Sequence, residues 1–136
     1  MDRPIKYARG YKYQLRENYL VPTRIYPERD IVTELVRLNR DGLMLIRKYF
    51  AWDGCSGPTW DDRTNMRGGL VHDANAYLLR AGLLDPCWLP VVNNELRRMM
   101  LEDGAHPLRA QYYELAVNLF DGWAQPESAR KILTAP

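Results

Sequence analysis

The hydrophobic period of the chain changes once, near Phe50, and that change limits the folds open to it. Before it, apolar residues recur at every second position, as in strands with one buried face. After it they recur at three and four, as on one side of a helix. Tyr11-Lys12-Tyr13-Gln14-Leu15 alternates in this way, and Glu17 to Val21 is read as its partner strand. Ile31 to Leu38 and Leu43 to Phe50 are two further apolar runs, and Asp41-Gly42 between them is a hairpin signal. Pro22 and Pro27 place irregular chain between the two strand pairs. The first fifty residues are therefore expected to form a small antiparallel sheet.

Residues 51–66 carry glycines, Pro58 and several Asp and Asn, the composition of a long loop. Three helices are expected beyond it. Leu70, Ala74, Tyr77, Leu78 and Ala81 fall on one stripe that Gly82 closes. Val92, Leu96, Met99 and Met100 mark a second helix that ends near Gly104. Pro107 opens a third, with Leu108, Tyr112, Leu115, Ala116 and Leu119 as its inward stripe, and Gly122 ends it. A short tail helix over 126–133 is compatible with the pattern. The expected class is α+β in one domain spanning 1–136: strand-rich over 1–50, loop over 51–66, helical over 67–136.

At 136 residues the chain suits one domain. Lys and Arg total 19 against 17 Asp and Glu, so a net charge of +2 does not favour a nucleic-acid binder. No apolar run approaches the roughly 20 residues that span a bilayer, and Met1-Asp2-Arg3-Pro4 does not open a secretion signal. Cys55 and Cys87 are too few for a disulfide framework and are expected to be reduced thiols, although a single bond between them is open.

Three segments could carry chemistry. In Trp52-Asp53-Gly54-Cys55-Ser56-Gly57-Pro58, a carboxylate and neighbouring carbonyls can converge on a hard cation such as calcium, which collects six to eight oxygens. The simpler reading is an Asx-turn whose side chains satisfy local amides. His72-Asp73 sits on the first helix behind Gly68-Gly69, which would let another backbone or a substrate come close to the imidazole. The simpler reading there is a buried, hydrogen-bonded histidine beside an exposed aspartate. Asn93 shares a face with Leu96 and Met100, so its amide either turns inward toward His72 or caps the second helix. His106 is given no role. Glu102-Asp103-Gly104 reads as a solvated helix end, and Arg97-Arg98 with Arg3, Lys6, Arg9, Lys12 and Arg16 as mild, solvated basic patches.

From about Tyr11 to Ala124 the chain resembles a family of uncharacterised small proteins carried by bacteriophages and prophages. The likeness lies in the strand-rich start, the loop Asp53 to Pro58, the His72-Asp73 helix and the helix Arg109-Ala110-Gln111-Tyr112-Tyr113. Over roughly Trp52 to Phe120 it also resembles, more distantly, the prokaryotic-type secreted phospholipases A₂. That resemblance implies a phospholipase-like three-helix half in which Asp53, the Gly54 carbonyl and Asp73 hold calcium. It makes His72 the general base and puts Asn93 where those enzymes carry the carboxylate that orients the imidazole.

Two departures stand out. Gly69 occupies the position of the cysteine that ties the loop to the helix in those enzymes, and Asn93 is an amide. An amide can position a ring but cannot neutralise an imidazolium, and in the serine-protease triad the same exchange lowers kcat about 10⁴-fold by favouring the wrong tautomer. Asp61 and Asp62 are the nearest substitutes in sequence. The expectation is a phage accessory or virion-associated protein, in the host cytoplasm or the particle, with a weak or silent His-Asp site. Its partner is a phage or host protein ahead of nucleic acid. The alternative is a calcium-dependent lipid ester hydrolase acting at a lipid surface.

Overall fold

The computed structural model describes residues 7–8, 13–52 and 62–119. Its class is α+β, with strands in the N-terminal half and helices in the C-terminal half. The strands are β1 (Tyr7–Ala8), β2 (Tyr13–Leu15), β3 (Tyr19–Pro22), β4 (Ile31–Val32), β5 (Val36–Leu38), β6 (Leu43–Ile46) and β7 (Ala51–Trp52). They form two antiparallel sheets rather than one, in the orders β1-β2-β7 and β3-β6-β5-β4.

The pairing differs from the expected one in an instructive way. Residues 19–22 do not pair back on 13–15; they pair with β6, while β2 pairs with β7. Tyr13 opposite Trp52 and Tyr19 opposite Ile46 belong to one continuous register, so residues 13–22 and 43–52 form one long ladder broken in the middle. At the break the Asn18 side chain accepts from the Lys48 backbone N–H at 2.7 Å and Tyr49 takes φ 82°. That left-handed conformation is uncommon outside Gly, Asn and Asp, and it lets the strand turn from one sheet into the other. This ends the expected 43–50 strand at Ile46. The expected 31–38 strand also divides, because the Thr33 hydroxyl accepts from the Val36 N–H and donates to the Val36 carbonyl, closing a turn between β4 and β5.

The Asp41-Gly42 hairpin is present between β5 and β6. Gly42 has φ 90°, and a Cβ there would lie 2.4 Å from the Thr23 carbonyl oxygen, so the turn admits no side chain.

The helices are α1 (Met66–Arg80), α2 (Leu89–Glu102) and α3 (Pro107–Leu119). Gly82 and Gly104, both at positive φ, end α1 and α2 in the same way. The Leu83 N–H reaches the Leu78 carbonyl and the Ala105 N–H the Met100 carbonyl, the six-to-one bond of a Schellman end. α1 is buried on most of its circumference. Leu70, Ala74 and Leu78 face the sheets as expected, joined by Val71 and Leu79, whereas Tyr77 and Ala81 are exposed. One core therefore spans Leu15, Val21, Met44, Ile46, Leu70, Leu78, Val92 and Met99; a second, between α2 and α3, holds Leu96, Met100, Ala110 and Tyr113.

α3 departs most from its sequence pattern. Leu108, Tyr112, Leu115 and Leu119 point outward, and the inward face is Ala110 and Tyr113, with Val117 packed against it. Arg109 and Tyr113 decide the rotation. The Arg109 guanidinium donates to Asp62 at 2.7 Å, to Thr64 at 2.8 Å and to the Tyr113 hydroxyl, which also accepts from Asn65 at 3.1 Å.

Candidate functional site

α1 and α2 run antiparallel, and Gly68 lets them approach. A Cβ at this position would lie 3.2 Å from the Leu96 carbonyl oxygen and 3.5 Å from Met100 Cγ. The close approach expected of the glycine pair is thus made at Gly68 by α2. One turn further along α1, His72 faces Asn93. The imidazole Nε2 and Asn93 Oδ1 are 2.9 Å apart, and Asn93 Nδ2 donates to Asn118 Oδ1 at 2.7 Å. His72 and Asn93 are buried, at 9% and 1% exposure, and Asn118 is at the surface. A chain of three polar side chains therefore crosses all three helices.

α2 begins at Leu89 behind a short 3₁₀ turn, Pro86–Trp88, whose N-cap Asp85 accepts from the Cys87 N–H. Asn93 thus lies inside the helix, not at its cap. Its amide orientation follows from its second bond. With Nδ2 committed to Asn118, Oδ1 is the atom that meets the ring, so Nε2 is the nitrogen that donates. The wrong-tautomer penalty expected of an amide is not imposed by this arrangement. Its lack of charge remains.

Asp73 does not share this chain. Adjacent helical residues diverge by about 100°, and the Asp73 side chain is about one-third exposed. Its Oδ1 lies 3.9 Å from His72 Nδ1, beyond direct hydrogen-bond reach. Asn75, on the next turn and fully buried, donates to the Val71 carbonyl, while its Oδ1 meets no donor.

Asp53, Gly54, Cys55 and Asp61 lie outside the described residues. Among the described residues no group of three or more His, Cys, Asp or Glu could hold a metal ion, and Asp73 contributes one carboxylate. Asp62 is held elsewhere. Partial burial would raise its pKa, but bonds from Thr64 and the Arg109 guanidinium outweigh this and keep it below the usual carboxylate range.

Two groups first read as solvated are structural. Arg67 is buried and donates to Asp103 at 3.1 Å and to Glu102 at 2.7 Å, so the end of α2 is an ion-pair cluster against α1. Arg98 binds Glu95 and Glu102, and Arg97 binds Glu114, so neither is a spare cation. Glu95, almost wholly buried, also accepts from the Arg24 backbone N–H and ties α2 to the strand half. His106 accepts from the Leu108 N–H at the start of α3. Cys87 is a free, exposed thiol whose pKa is pushed up by its hydrogen bond with Asp85, which makes it a poor nucleophile at neutral pH. It borders a cleft of about 390 Å³ with Tyr26, Leu83 and Trp88 that shares no residue with the His72 chain.

Sequence reasoning missed Asn118 and the set Asn65, Arg109 and Tyr113. Arg109 and Tyr113 are four apart and so share a helix face, a signal outweighed by the apolar stripe. Asn118 carries no local signal at all. Among the described residues no helix is long and apolar enough to cross a membrane. Comparison with protein-family models, curated proteins and solved structures finds no match.

Proposed function

We propose that the protein is a phage- or prophage-type accessory or virion-associated protein in which His72, Asn93 and Asn118 clamp three helices together and carry out little or no hydrolysis. The observation that carries this is the hydrogen-bond chain itself, with two neutral amides on the Nε2 side of the imidazole. A general base becomes an imidazolium in the transition state and gains from a carboxylate on the far nitrogen. Here an amide stands there. The nearest described carboxylate of the His72 side is that of Asp73, which the phospholipase reading assigns to calcium. One carboxylate would then have to serve both cations. The partner proposed is a phage or host protein; in the segment Arg109-Ala110-Gln111-Tyr112-Tyr113, on which the phage-family resemblance partly rests, Arg109, Ala110 and Tyr113 dock α3.

The calcium-dependent lipid hydrolase is kept as the second reading by the Nδ1 side. Asp73 Oδ1 lies 3.9 Å from Nδ1 there, so the ring nitrogen that faces away from Asn93 sits beside the carboxylate that the phospholipase resemblance assigns to calcium. Calcium would be held by Asp73 together with Asp53 and the Gly54 carbonyl, and would polarise an ester carbonyl.

The two readings separate in a fatty-acid release assay on mixed phospholipid–detergent micelles, run with calcium and with chelator. The clamp predicts no calcium-dependent release above the blank. Release that requires calcium and disappears in both His72→Ala and Asp73→Asn would overturn it in favour of the hydrolase.

A further inference from the structure

Where the strand half meets the link between α1 and α2, a cleft of about 390 Å³ opens at the surface. Its size falls within the roughly 300–1,000 Å³ of small-molecule sites. The buried side chains of Ile31 and Leu84 line it, with Tyr26 and Trp88 beside them as an edge-to-face pair, ring centroids 6.3 Å apart and planes at 79°. Tyr26 is about half exposed, yet its ring is held in place. A Cβ on Gly42 would lie 2.9 Å from Tyr26 Cε1, so the hairpin turn and Trp88 both pack against it. Two carboxylates, Glu28 and Asp85, share the cleft with one guanidinium, Arg29. Asp85 keeps its charge, since the bond it accepts from the Cys87 N–H holds its pKa below the usual range. The Cys87 thiol responds to both carboxylates: its pKa is raised first by the hydrogen bond with Asp85, and also by the charges of Asp85 and Glu28.

We propose that this cleft binds a small organic cation of the alkylammonium class, its charged head at Tyr26, Trp88 and Glu28 and its apolar body along Ile31 and Leu84. Two rings near a right angle form a corner in which one cation can meet both negative π-faces. An anion would be repelled by the same faces and by two carboxylates, and an uncharged ligand would gain only the apolar contact. A weakly hydrated organic cation suits the aromatic corner better than a metal ion, and among the described residues no group of three or more His, Cys, Asp or Glu could hold a metal. Arg29 offsets one of the two carboxylates, so the balance of charge in the cleft favours a singly charged ligand. The cleft shares no residue with the His72 chain, so binding here does not depend on what His72 does.

Titration of the full chain with choline, followed at the Trp88 indole N–H by ¹⁵N–¹H correlation, tests this. The uncharged carbon isostere of choline (dimethylbutanol) and the anion butyrate serve as the comparison ligands. Choline should shift the Trp88 signal saturably, and both comparison ligands should bind at least about fivefold more weakly. Glu28→Gln, at an exposed position, should weaken choline binding about threefold or more with an unchanged melting temperature, and Tyr26→Leu should weaken it at least as much. Equal binding of choline and its isostere would overturn the proposal and leave a merely apolar cleft. Tighter binding of butyrate would overturn it in favour of an anion held by Arg29. Choline shifts that never saturate, or that persist unchanged in both variants, would overturn it as well.

Discussion

At the scale of single residues, the informative atom is Asn93 Nδ2. Its bond to Asn118 turns the amide so that oxygen faces His72, which fixes the protonated nitrogen of the ring as Nε2. A residue at the surface of α3 thereby sets the tautomer of a buried imidazole on α1. Long-range ¹⁵N–¹H correlation should show His72 as a single Nε2–H tautomer in the parent and as a mixture in Asn118→Ala. A parent carrying its proton on Nδ1 would mean that both amides are turned the other way. Only part of this was legible in the sequence. Asn93 shares a helical stripe with Leu96 and Met100, and burial on such a stripe demands a polar partner, so His72 was within reach of reasoning. Asn118 was not, because contact between residues 25 positions apart depends on how α3 is rotated, and local periodicity does not contain that rotation.

At the scale of elements, α1 and α2 are held by two polar contacts on either side of the Gly68 close approach: the His72–Asn93 bond, and Arg67 with Asp103 and Glu102. The second makes a pH prediction. Desolvation would raise the Glu102 pKa, yet its bonds to Arg67 and Arg98 dominate and hold it below the ordinary value of 4.5. A carboxylate depressed in the folded state stabilises fully above its unfolded pKa, and that contribution is lost as pH falls through the folded one. Melting temperature should therefore decline below about pH 4.5. Glu102→Gln should melt lower than the parent at pH 7 and decline less steeply below 4.5; parallel pH curves for the two would contradict it. The Glu102-Asp103-Gly104 run reads as a solvated end because its charges and glycine are what a solvated end contains. Arg67, 35 residues earlier, makes it otherwise. The helix ends themselves were readable, since Gly82 and Gly104 act through local backbone geometry. The strand pairing was less so: β2 and β3 look like a hairpin by proximity, and only the matched register with β6 and β7 shows them as two parts of one ladder.

At the scale of the molecule, a strand half and a helical half share one core, and α3 is joined to them by polar contacts as well as by the small apolar cluster around Ala110 and Tyr113. Asn118 reaches Asn93, Arg109 reaches Asp62 and Thr64, and Tyr113 reaches Asn65. That explains how α3 can turn four large apolar side chains outward: the sequence stripe is real, but buried hydrogen bonds outweigh it in setting the inner face. The α+β order was legible because periodicity changes once along the chain. The inner face of α3 was not, since its determinants include four side chains on other segments, Asn93, Asp62, Thr64 and Asn65. If the polar chain across the helices is what His72 is for, the pair His72 and Asn93 must contribute to folding as a unit. The most direct measurement is a double-mutant cycle on thermal or urea unfolding with His72→Ala, Asn93→Ala and the double variant. Each single change should cost about 2 kcal/mol by leaving a buried partner unpaired, and the double should fall short of their sum by about 1 kcal/mol or more. Two small, strictly additive losses would contradict the clamp.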